Sequence, residues 1–168
     1  KNAVLVMLAF KGIQLGMLDS GVAINLSTML FILPFFLFAS YAGKLADSMN
    51  KIRLIRIIKF CEIFITLVAC GGIIYQNIWL MLIAIFTMST HSTFFSPIKY
   101  SILPQYFSNR KKLLIANSYV EVGSFIAVLI GQIIGSWFMS NSQTHVILFV
   151  LITATICGLI FSLHLEKV

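Results

Sequence analysis

Few residues in this 168-residue chain could do chemistry, because 60% are hydrophobic and only 10% are charged. Lys99 and Tyr100 lie between Pro97 and Pro104, where an apolar run ends. A lysine placed there can extend its methylene stem along apolar surface and hold its ammonium at the level of lipid phosphates. That suits a zwitterionic or anionic headgroup, although an ordinary basic anchor at a membrane face has the same spacing. Asn117 and Glu121 are four residues apart and Ser124 is three further on, so a helix presents all three on one face. A carboxylate entering an apolar run costs about 3 kcal/mol on insertion scales, which makes Glu121 a functional candidate. It could pair with Lys99, bind a headgroup amine or change protonation; a structural ion pair with Arg110 or Lys112 is the alternative.

A second group is Gly43, Asp47, Lys51 and Arg53. A carboxylate in such a turn can accept hydrogen bonds from a helix N-terminus and pair with nearby cations, forming a latch. The structural alternative is a helix-ending glycine followed by a solvated charged turn. Glu62 follows Lys59 by three residues, the spacing of a local pair, and is placed outside the site. Thr87, Ser89, Thr90, His91, Ser92 and Thr93 make one span unusually polar, so it should face other helices or a cavity. His91 could relay protons or hydrogen-bond within the bundle. The sequence has no Ser-His-Asp set, phosphate-cradling glycine loop or His-Glu-x-x-His helix, and Cys61, Cys70 and Cys157 occur singly. Neither catalysis, metal nor cofactor is expected.

The elements that must position these residues follow from composition. A soluble domain carries about 25% charged residues, whereas this chain has 10% and a mean hydropathy of +1.00. A hydrocarbon core about 30 Å thick takes about 20 apolar residues per helix. The apolar runs are continuous, without the alternation of barrel strands, so helices are expected throughout. The whole chain, 1–168, reads as one transmembrane domain with a partial span at 1–10 and complete spans at 22–43, 54–75, 78–97, 113–139 and 146–165. Pro34 interrupts the second span, which a membrane helix tolerates when neighbours satisfy the freed carbonyl. Gly123, Ala127, Gly131 and Gly135 recur every four residues in the fifth span, a pattern that admits a closely packed helix.

The formal charge of +7 sits between the spans, where basic residues report topology rather than nucleic-acid binding. Lys44, Lys51, Arg53, Arg56 and Lys59 crowd the second connection, and Lys99, Arg110, Lys111 and Lys112 the fourth. Gln76 and Asn77 in the third, and the stretch from Ser140 to His145 in the fifth, carry no formal charge. Lys11 and Asp19 offset each other in the first, and Lys167 follows the last span. The positive-inside rule then puts both chain ends in the cytoplasm.

Six helices so arranged resemble one half of a major facilitator transporter, whose two halves enclose a site at mid-membrane. The segment from Gly43 through Asp47 to Lys51 and Arg53 resembles that superfamily's Gly-x-x-x-Asp-Arg/Lys-x-Gly-Arg-Arg/Lys loop, with Ser48 and Asn50 departing from it. The resemblance implies the latch role for Asp47. The run Ser96-Pro97-Ile98-Lys99-Tyr100-Ser101-Ile102-Leu103, followed by Ala116-Asn117 and Glu121, is similar to the lysophospholipid transporter branch, as is the start Lys1-Asn2-Ala3-Val4-Leu5. This implies an all-α N-terminal six-helix half with a truncated first helix, in the bacterial inner membrane. It further implies a lysophospholipid substrate held by Lys99, Tyr100, Asn117 and Glu121 and moved across the membrane for reacylation. The implied partners are the bilayer, a C-terminal six-helix half and a fused acyltransferase. The rival readings are a facilitator for a small polar solute or drug, and a membrane anchor for such an enzyme.

Overall fold

The computed structural model describes residues 20–140 and 144–165. It is all-helical: α1 (Ser20–Ser48), α2 (Lys51–Ile74), α3 (Ile78–Ser101), the single turn α4 (Leu103–Tyr106), α5 (Arg110–Ser140) and α6 (Thr144–Leu163). Five of these are long and apolar enough to cross a membrane. They overlap the residues of the second to sixth expected spans, with different ends. The expected partial span at 1–10, with Lys11, Asp19 and Lys167, lies outside the described residues.

The helices run past the hydropathic boundaries at the basic end. α1 continues through Gly43 to Ser48, so Gly43 does not terminate it, and α3 continues through Pro97 to Ser101. The two-residue break at Met49 and Asn50 is set by Asn50, whose side chain accepts from the Arg53 backbone N–H at 3.1 Å and caps α2. Asn77 caps α3 in the same way, accepting from Trp79 N at 3.0 Å and Leu80 N at 3.3 Å. Between α2 and α3 the chain reverses through Gln76, which adopts a φ of 51°. The reversal brings Gly72 so close to α3 that a Cβ there would lie 3.0 Å from the Met81 backbone N.

α3 is the centre of the bundle. It packs on α1 on one side and α2 on the other; α2 in turn packs on α6, and α5 touches α6 and α4. Along the helix axes the interior has three layers. Ala69, Ile73, Met81, Leu82, Ala84, Ile85, Met88 and Ile147 pack together toward the uncharged end. Ala46, Ile52, Leu54, Ile55, Ile58, Ile98 and Ile102 pack toward the basic end. Between them in each helix stand polar residues: buried Thr66, Ser89, His91, Thr93 and Thr155, and Glu62 beside His91.

Hydrogen bonds in this layer join the helices, since lipid supplies no hydrophobic drive for their association. The Thr66 and Thr155 hydroxyls lie 2.9 Å apart, linking α2 to α6. Fully buried Ser89 donates from α3 to the Phe31 carbonyl of α1. That carbonyl adjoins Leu30, whose own carbonyl loses its helical donor to Pro34. α1 stays continuous across the proline.

Candidate functional site

Lys99 sits in the last turn of α3. Its ammonium donates to Ser124 Oγ of α5 at 3.0 Å and lies 4.8 Å from the centre of the Tyr100 ring. The Ser124 hydroxyl in turn donates a hydrogen bond to the Val120 carbonyl at 2.7 Å. Beside this contact the Tyr100 hydroxyl donates to Glu121 Oε1. The partner of Glu121 is one that spacing did not offer, the Tyr100 phenol; neither Lys99, Arg110 nor Lys112 forms an ion pair with it among the described residues. Asn117 does not join the group, and its Oδ1 is buried without a hydrogen-bond partner among the described residues.

Lys99 also lines a cleft of about 590 Å³ at the basic end, between α2, α3, α4, α5 and α6. Its walls are almost wholly apolar, including Ile55, Phe95, Ile102, Leu103, Phe107 and Phe161. The two ammonium groups in this lining belong to Lys99 and Lys59. Of the four residues expected to contact substrate, Lys99 lines the cleft; Tyr100, Asn117 and Glu121 stand outside its lining.

Lys59 is the cleft residue that spacing alone did not assign. It lies eight residues into α2, about 12 Å from the helix start at 1.5 Å per residue. Its ammonium donates to Glu62 Oε2 at 2.7 Å and lies 4.9 Å above the Phe95 ring. Gly158 of α6 makes the space, since a Cβ there would come within 3.1 Å of the ammonium. Glu62 in turn faces His91 Nε2 at 3.6 Å, and the His91 ring lies nearly parallel to the Phe95 ring, 6.1 Å between centroids with an interplanar angle of 10°. His91 lines a separate cavity of about 370 Å³ with Phe38, Cys61, Thr87 and Thr90. Glu62 is therefore a bridge between two cavities and more than the local partner its spacing predicts.

The charged turn between α1 and α2 is arranged differently from a closed latch. Asp47 is exposed and makes no hydrogen bond or ion pair among the described residues, and the start of α2 is capped by Asn50 instead. Lys51 and Arg53 occupy the first turn of α2, and Gly43 has open space around its Cα. Arg56, one turn further on, reaches the end of α6 and donates to the carbonyls of Ser162, Leu163 and Leu165 at 3.4, 3.1 and 3.1 Å. A cation on those carbonyls offsets the negative end of the α6 dipole and fixes one wall of the cleft.

The glycine pattern of α5 does not receive a close neighbour among the described residues: a Cβ at Gly123 or Gly131 would meet nothing within 4 Å. Leu114, Tyr119, Phe125, Leu129, Ile133 and Trp137 of the same helix are exposed. Such a surface is tolerable in lipid and too large for water.

A family model of the Major Facilitator Superfamily matches residues 3–167. No curated protein and no solved structure matches the chain.

Proposed function

The chain belongs to the major facilitator superfamily, and on that footing we propose that its substrate is a lysophospholipid, carried across the bacterial inner membrane. It is a multi-pass secondary membrane transporter. The observation that carries the substrate reading is the cleft with apolar walls and two ammonium groups, Lys59 and Lys99. A solute without a hydrocarbon part would gain little from such walls. A single-chain lipid presents one acyl chain to them and one phosphate to the lysines. The cleft's volume of about 590 Å³ lies within the roughly 300–1,000 Å³ typical of small-molecule sites.

In this reading the basic end faces the cytoplasm, and these helices form one half of a two-half transporter that rocks about a mid-membrane site. Asp47 and the cations beside it make their latch in another conformation, when the second half approaches. Glu121, held by Tyr100, and Asn117, with its buried oxygen, lie one to two turns from Ser124, within reach of a headgroup amine as the Lys99 contact rearranges. A fused or associated acyltransferase would consume the delivered lysolipid.

The test is uptake of radiolabelled lysophosphatidylethanolamine by proteoliposomes containing the full-length protein. Uptake that falls at least tenfold in Lys99→Ala, with normal membrane insertion, supports the reading. Undiminished uptake in that variant removes Lys99 from the site. No uptake by the unaltered protein, with transport of a small polar solute instead, overturns the substrate class.

A further inference from the structure

A separate concavity of about 400 Å³ lies at the start of α2, lined by Asn50, Ile52, Arg53 and Arg56. Two guanidinium groups share this small lining, and no carboxylate enters it among the described residues. Arg56 is already held in place. Its bonds to the carbonyls at the end of α6 use Nε and one terminal nitrogen, and leave the other terminal nitrogen without a bond among the described residues. Arg53 is exposed, and its side chain makes no hydrogen bond or ion pair among the described residues. Its backbone N–H is taken by Asn50, so the concavity offers a ligand side-chain charge rather than an uncapped helix start.

The same helix carries an apolar track onward from these cations. Arg53, Ile57, Phe60 and Phe64 are spaced by four, three and four residues, which sets them along one face of α2. Ile57, Phe60 and Phe64 are all exposed, and the two phenyl rings meet edge to face at 5.4 Å between centroids. Arg53 and Phe64 are eleven residues apart. At about 1.5 Å per residue that is about 16 Å, close to one half of a hydrocarbon core about 30 Å thick.

We propose that this face of α2 holds one anionic phospholipid of the surrounding bilayer, its phosphate between Arg53 and Arg56 and an acyl chain along Ile57, Phe60 and Phe64. A phosphate accepts paired N–H bonds from a guanidinium, and two arginines at one concavity make a more specific anion site than isolated lysines such as Lys44 and Lys112. Because the end of α6 already holds Arg56, only Arg53 loses side-chain freedom on binding. The lining selects for net negative charge, since it presents no carboxylate to receive the cation of a zwitterionic headgroup. Neither arginine lines the cleft of Lys59 and Lys99, so this lipid is distinct from a transported ligand. It touches α2 directly and the end of α6 through Arg56, and so clamps the pairing of those two helices.

The test is native mass spectrometry of the full-length protein in mixed micelles, with phosphatidylglycerol and phosphatidylcholine of identical chains. Phosphatidylglycerol should bind at least about tenfold more tightly, the worth of one charge-assisted contact. Arg53→Gln should bring the two affinities together while melting in phosphatidylcholine like the unaltered protein, since that side chain holds nothing else among the described residues. Arg53→Lys, which keeps the charge and loses the fork, should lower the ratio by about threefold. Lys44→Gln, Lys112→Gln and Lys99→Ala should keep it. Equal affinities in the unaltered protein, or an unchanged ratio in both Arg53 variants, overturns the proposal. Loss of the preference in Lys99→Ala puts the lipid in the cleft, and an equal fall in every lysine and arginine variant reduces it to diffuse surface charge; either result overturns the site. Inorganic phosphate and glycerophosphoglycerol, the headgroup without chains, should fail to displace the lipid at about a hundredfold excess, for want of apolar burial. Displacement by either overturns the acyl track and leaves a soluble anion as the occupant.

Discussion

Replacing Lys59 by methionine should destabilise the bundle, and adding Glu62→Gln should restore most of the loss. Removing one partner from a fully buried ion pair costs about 3–5 kcal/mol, because the other charge stays behind; exposed pairs are worth about 0–1 kcal/mol. The two side chains are 18% and 19% exposed, between these limits. Lys59→Met alone should therefore cost about 2 kcal/mol, a factor of about 30 in the folded population. Glu62→Gln alone should cost about 1 kcal/mol, since Lys59 keeps the face of Phe95 and the open cleft. If the pair is the interaction that matters, the double variant loses about 1 kcal/mol rather than the additive 3. The assay is a double-mutant cycle on chemical unfolding of the full-length protein in detergent. Additivity of the two losses to within about 0.5 kcal/mol would refute an energetically coupled pair.

Three further outcomes follow from the geometry. Gly158→Leu, which fills the space beside Lys59, should reduce lysolipid binding at least tenfold by displacing the ammonium and narrowing the cleft, read by equilibrium binding of a fluorescent lysolipid. Gly72→Val should lower thermal stability by about 2 kcal/mol, because its Cβ meets α3 backbone that cannot yield, whereas Gly71→Val, with open space, should have a much smaller effect. Arg56→Gln should loosen the end of α6, costing about 1–2 kcal/mol and raising hydrogen exchange at residues 160–165.

Hydropathy located every described membrane helix, because lipid demands long apolar runs and little else can meet that demand. Their ends were less legible. α1 runs through Lys44 to Ser48 and α2 begins at Lys51, since polar residues continue a helix into the interface and side-chain caps, here Asn50, decide where it starts. Asn50 reads in the sequence as a departure from a glycine; in the structure it is the acceptor that α2 requires. Lys99 and its helix-face partners were legible one helix at a time, as was the Lys59–Glu62 spacing. The meeting of Glu62 with His91, of Lys59 with Gly158 and of Arg56 with the end of α6 was not. Each depends on how two helices rotate against each other, and a period of 3.6 residues records a face without naming what it faces. The polar layer shows the same limit. Thr66, Ser89, His91 and Thr155 are scattered through the sequence, and only packing places them at one depth.

α5 touches the rest of the described bundle mainly through α6 and α4, yet Ser124 and Glu121 attach it to α3 through Lys99 and Tyr100. Those two bonds act as fasteners at the mouth of the cleft. If the proposed lysolipid occupies the cleft, its phosphate competes with Ser124 for the Lys99 ammonium, and binding then unfastens one of them. On that reading the energy of recognition is delivered where a long, lightly held helix joins the bundle, without a relay through the core.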